Sequence, residues 1–173
     1  DAGPASRYVA AVLLLLLACE PDHAGEGVSG TLTRARLNEV QLNSYFLVAG
    51  GVGGEAMMVI ANQDGRLFEA PVSLDGVLIG GIVELSTSIG GPISIFLPDA
   101  EVEAADLFSV YSGVASSVAG GVGIGTHHLE NDRGAQIDVA LVELGLGVRV
   151  AFEALGLTQE AAFEGVSDTG EAE

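Results

Sequence analysis

The chain has 173 residues, about one domain's worth, and its 49% hydrophobic content is enough for a sizeable core. Its six basic residues are all arginine and stand against 24 acids, for a net charge of −18. That balance makes a nucleic-acid backbone a poor partner, and the lack of lysine excludes a P-loop and a lysine Schiff base. The single cysteine excludes an internal disulfide and a cysteine-rich zinc site.

At the N-terminal end, Arg7 precedes an apolar run from Val9 to Ala18. The run is too short for a membrane-spanning helix, which needs about 20 residues. A charged start, a short apolar run and a small residue before the cut describe a secretory signal. The run closes as Leu16-Leu17-Ala18-Cys19, which resembles the lipobox of bacterial lipoproteins. The resemblance implies that residues 1–18 are a leader and that Cys19 carries the lipid. It also implies a protein held in the cell envelope, facing the periplasm or displayed at the cell surface. Glu20, where such proteins bound for the inner membrane carry aspartate, leans the assignment toward the outer membrane. Residues 19–30 contain Pro, Gly and acids without apolar periodicity and are expected to form a solvated tether.

The body, residues 31–160, reads as a glycine-punctuated β-domain with an internal echo. Val48-Ala49-Gly50-Gly51-Val52-Gly53 recurs as Val118-Ala119-Gly120-Gly121-Val122-Gly123. Each copy leads through an apolar stretch to a turn signal, Asn62-Gln63-Asp64-Gly65 or Asn131-Asp132-Arg133-Gly134. Strand candidates follow at Leu67–Leu74 and Gln136–Leu144. Second glycine breaks, at Asp75-Gly76 and Gly145–Gly147, lead to Val77–Leu85 and Val148–Leu157. Ile137, Val139 and Leu141 share one strand face, with Asp138 opposite. Val148, Val150 and Phe152 share another, with Arg149 and Glu153 opposite. The expected fold is mainly β, a small curved sheet or barrel of two related meanders with one intervening helix. That helix is expected after Asp99, with Val102, Ala105, Phe108 and Tyr111 as its buried stripe and Gly113 as its stop. The segment Thr31–Val40 suits a strand or a short helix. Residues 161–173 form an acidic tail, expected to be disordered from Val166 onward. Both glycine sets are expected to serve backbone curvature.

The runs Gly50–Glu55, Asp64–Leu74 and Gly80-Gly81 are similar to the pattern of SYLF-domain proteins. The runs Tyr111–Val114, Gly120–Gly123 and Gly145–Arg149 resemble the envelope integrity protein A family. Together they cover Tyr45 to Thr158. The resemblance implies a compact β-rich or barrel-like periplasmic domain, lipid-binding in the SYLF case, without an established enzyme activity.

Few residues invite chemistry. Gly121-Val122-Gly123-Ile124-Gly125 lacks the third glycine and the following helix of a dinucleotide site. No G-x-S-x-G elbow occurs, and no cofactor is expected. His127 and His128 are adjacent, so on a strand they face opposite ways and do not share one metal ion; His128 and Glu130 share a face, and all three are expected to be solvated residues beside the Asn131–Gly134 turn. Arg149, alternating with apolar neighbours, is expected to point inward and to require a buried acid, Asp138 or Glu143. A transmembrane barrel is disfavoured by the 5% aromatic content. The expected function is a non-enzymatic membrane-anchored envelope lipoprotein with a structural or binding role, its partners a lipid or an envelope protein. The alternative is an amphiphile-binding module with an apolar pocket, which would need about 300 Å³ of cavity.

Overall fold

The computed structural model describes residues 24–47, 49–81, 84–99 and 101–166. Its strands are β1 (Leu32–Phe46), β2 (Ala49–Asn62), β3 (Leu67–Gly81), β4 (Glu84–Gly90), β5 (Ile93–Phe96), β6 (Val110–Glu130), β7 (Gln136–Gln159) and β8 (Glu164–Gly165). All pair antiparallel in one sheet, so the architecture is mainly β. The ambiguous segment before Val40 is strand.

Two turns of the same build organise the sheet. Asn62 ends β2, and its Oδ1 accepts the backbone N–H groups of Asp64 and Arg66, each at 3.1 Å. Asn131 follows β6, and its Oδ1 accepts those of Arg133 and Ala135 at 3.0 and 2.9 Å. Gly65 and Gly134 complete the turns at φ of +75° and +80°, where a side chain would be strained. The echo is therefore structural: the β2–β3 and β6–β7 hairpins share one turn design. The second glycine breaks are not turns. β3 runs through Asp75-Gly76 and β7 through Gly145–Gly147 without leaving the ladder, so the third strand of each expected meander is a continuation of the second.

The long strands fold double. β7 pairs along its whole length with β6, from Val110↔Gly156 to Glu130↔Gln136. On its other edge it pairs with β3 up to Gly81↔Val150 and resumes with β4 at Glu84↔Gly147, in the same register. β4 and β3 also flank the β1–β2 hairpin, β4 on β1 and β3 on β2. These pairings close a ring of five strands, β1–β2–β3–β7–β4, which is not a regular barrel. The ring closes only if β7 and the β3–β4 line bend back on themselves. β6 bends with them, its two arms coming side by side. Ser116 Oγ and Thr126 Oγ1 hydrogen-bond across the arms at 2.8 Å. A Cβ on Gly123 would lie 1.9 Å from the Val118 carbonyl oxygen, and the bend itself holds Gly121 at φ +102°.

The domain thus has a bent end, where β1 ends and β2 begins, β3 ends and β4 begins, and Gly120-Gly121 and Gly145–Gly147 lie. The opposite end, the base, carries the two Asn turns. Inside the base lies the apolar core, with Leu37, Met58, Ile60, Leu74, Leu107, Tyr111, Leu129 and Leu155 fully or almost fully buried. The expected helix is a single 3-10 turn, Ala104–Leu107. Glu103, not Asp99, is its N-cap, and the Asp106 carboxylate in the first turn accepts the Glu103 N–H at 2.9 Å. Val102, Phe108 and Tyr111 are buried as expected, but Ala105 is exposed, because from Val110 onward the backbone is committed to the β7 ladder. Of the segment expected as tether, residues 24–30 pack on the base: the Phe163 N–H donates to the Glu26 carbonyl at 2.8 Å, and Gly25 N–H to Gln159 Oε1 at 2.8 Å. Residues 161–166 also join it through buried Phe163 and β8. Residues 1–23, including Cys19, and 167–173 lie outside the described residues.

The two glycine sets do not do equal geometric work. A Cβ on Gly53 would meet only the Asp75 carboxylate at 3.3 Å, an exposed side chain that can move. A Cβ on Gly123 meets backbone that cannot. Gly123→Ala is expected to destabilise by about 1–3 kcal/mol, as overpacking does, and Gly53→Ala by less than about 0.5 kcal/mol. Thermal melting of the two variants distinguishes them; equal melting would mean that the arms of β6 do not close as described.

Candidate functional site

The bent end reverses the usual polarity of a folded domain. Along β7, odd-numbered residues face inward throughout. From Ile137 to Leu141 the inward residues are apolar. From Glu143 to Glu153 they are Glu143, Gly145, Gly147, Arg149, Ala151 and Glu153, while the outward ones are Val142, Leu144, Leu146, Val148, Val150 and Phe152. β6 behaves alike, with Ser117, Ala119 and His127 inward and Val114, Val118, Val122 and Ile124 outward. Leu85 and Ile89 on β4 and Tyr45 on β1 extend the apolar outer face; Leu85 and Leu146 are about 70% exposed.

Charge fills the interior beneath that face. Arg149 is 1% exposed and Glu143 fully buried, and Arg149 Nη2 donates to Glu143 Oε1 at 3.2 Å across the bend of β7. The same oxygen accepts from the Ser88 hydroxyl at 3.3 Å. Gly125 makes room for it: a Cβ there would lie 2.0 Å from Glu143 Oε1. Ser44 and Ser86 add a buried hydroxyl pair at 2.8 Å. Toward the base, His127 Nδ1 donates to Glu153 Oε2 at 2.6 Å, both side chains sealed from solvent. His127 Nε2, Glu143 Oε2 and Glu153 Oε1 are buried without a protein hydrogen-bond partner.

Of the sequence-predicted residues, Arg149 is inward and takes Glu143 as its acid. Asp138 faces outward and pairs with His128. His127 and His128 lie on opposite faces, as adjacent strand residues must; His127, expected to be solvated, is instead buried against Glu153, because its parity on β6 is inward, while exposed Glu130 accepts from Gln136 Nε2 at 3.1 Å. No group of three or more metal-ligating side chains occurs among the described residues. Missing from the sequence reading was Glu153 as partner of His127. The outward sense of the Val148–Phe152 face follows from the inward Arg149, and a second signal for it lies in the apolar positions of β7, which switch from odd to even after Leu141.

The void within the apolar core, lined by Leu37, Leu42, Leu74, His127, Leu129, Leu155 and neighbours, is about 20 Å³, room for one water and far below an amphiphile. An open outer groove of about 700 Å³ is bordered by Glu39, Glu55 and Glu160, with Ala56, Met57, Pro71 and Val72 between them. No protein-family model, curated protein or solved structure matches this chain.

Two predictions follow from the buried groups. Glu143→Leu alone takes the carboxylate from a buried guanidinium and is expected to cost about 3–5 kcal/mol, whereas Glu143→Leu with Arg149→Met costs less than either change alone. Urea unfolding of the double-mutant cycle measures this; strict additivity would mean that the pair is not coupled. Burial also pushes the Tyr111 hydroxyl well above its ordinary value. The neutral phenol is therefore favoured in the folded state, and this contribution is complete below the unfolded value of about 10 and lost as pH rises above it. Stability should fall above pH 10 by up to about 1.4 kcal/mol per pH unit, and Tyr111→Phe should flatten that slope.

Proposed function

We propose that this protein is a membrane-anchored lipoprotein of the bacterial cell envelope, held through Cys19, with a structural or binding role and no catalysis. Its binding element is the apolar outer face of the bent end. One observation carries the reading: at the bent end Glu143, Arg149 and Glu153 are sealed inside, and what that end offers to a partner is apolar. Glu143 and Glu153 are 0% exposed and Arg149 1%, while the side chains that alternate with them are about half exposed or more in most cases. A buried ion pair that no substrate can touch stabilises and orients; it does not turn over.

The amphiphile-pocket alternative is less well supported, because among the described residues the void within the apolar core, about 20 Å³, holds no acyl chain. The likeness to SYLF-domain and envelope integrity proteins agrees with a β-domain working at a membrane, and a lipid or an envelope protein is the partner class.

The anchor is tested on the full chain expressed in a bacterium that processes lipoproteins. The parent is expected to partition into detergent and to begin, after processing, at a lipid-modified Cys19. Cys19→Ser is expected to remain uncleaved and unlipidated, because serine cannot form the thioether. A mature N-terminus anywhere else overturns the anchor.

A further inference from the structure

We propose that the bent end inserts its outer face into one leaflet of a lipid bilayer. The inference rests on reading the outer face as the binding element, but not on the Cys19 anchor.

Among the strands of the bent end, the exposed large apolar residues lie on β1, β4, β6 and both arms of β7, while the neighbouring strands β2 and β3 carry none of them. Among the described side chains, the face on β6 and β7 is free of charge. Every outward position of β6 from Val114 to Thr126, and of β7 from Ala140 to Phe152, is uncharged. Polar interior and apolar exterior together are the arrangement that hydrocarbon favours and water opposes.

The first outward charged or ionisable residues set a common level. Glu55, Asp75, His128 and Asp138 are exposed, and each lies about seven or eight residues from the bend of its own strand. At about 3.3 Å per residue that is roughly 25 Å along the strand, or about 17 Å of depth at a 45° tilt. The hydrocarbon of one leaflet is about 15 Å deep, half of the core of about 30 Å. The apolar end therefore matches one leaflet and falls short of a span. The described chain begins at Ala24 on the base, at the far end of the domain.

The test uses the full chain with Cys19→Ser, which removes the only native thiol and the anchor with it. Leu146→Cys, Val142→Cys and Gln136→Cys are each labelled with an environment-sensitive fluorophore and mixed with phosphatidylcholine vesicles. The expected result is a blue shift at 146 and 142 and none at 136, with lipid-borne quenchers placing 146 deeper than 142. Each label reads its own position, so membrane binding by the leader alone leaves all three unshifted and overturns the proposal while leaving the anchor reading intact. A blue shift that grows with protein concentration and needs no vesicles assigns the face to a second copy and also overturns it. Quenching at 146 by an agent sealed inside the vesicles would mean a full span and overturn the one-leaflet depth. Circular dichroism of each labelled variant confirms that the sheet is retained.

Discussion

A β-strand turns successive side chains to opposite faces, and β7 keeps that alternation without a slip from Gln136 to Gln159, because both of its edges are paired. With the register held by β6 on one side and by β3, β4 and β5 on the other, no residue can exchange faces to improve its own environment. The bend at Gly145–Gly147 redirects the strand but does not reset its parity. Arg149 and Glu153 are consequently carried inside, and Val148, Val150 and Phe152 outside. The rest of the structure answers to that constraint.

The interior answers it by pairing. An isolated buried ion costs several kcal/mol, so Arg149 is met by Glu143 from across the bend and His127 by Glu153 from the facing strand. Glycines and serines fill the remaining space, with Gly125 leaving the volume that the Glu143 carboxylate occupies. The exterior has no such answer within the chain. Each outward Val or Leu is about half exposed and leaves unrealised roughly half of the about 1.5–3 kcal/mol that full burial would contribute. Summed over the outer face this is comparable with the net stability of a domain. At the base the same strands carry an ordinary apolar core around Leu37, Leu74, Leu129 and Leu155, under a polar surface. One sheet therefore combines two solvation regimes, and the change occurs within single strands.

Much of this was legible in the residues. The N-x-x-G signals at Asn62 and Asn131 announced two equivalent turns, because an Asn side chain can cap its own turn and glycine alone enters the left-handed region without strain. Alternation in β7 announced a strand, and an arginine among valines announced a buried acid. The expected helix failed because the spacing of Val102, Phe108 and Tyr111 serves burial equally well in a 3-10 turn followed by an edge of sheet. Ladder hydrogen bonds to β7 then claim the backbone from Val110. The lipobox resemblance at Cys19 stands on the sequence alone.

The sequence by itself determined the class of fold, the turns, and the pairs of residues that must share a face, since those follow from local alternation and backbone chemistry. It did not determine which face is inside. That depends on where a strand is bent and what pairs with its edges, and these contacts join residues far apart in the chain, such as Gly81 with Val150 and Gly113 with the backbone of His128. Only the folded sheet, by carrying one parity through a glycine bend, decided that the valines of β6 and β7 look outward and the arginine looks in.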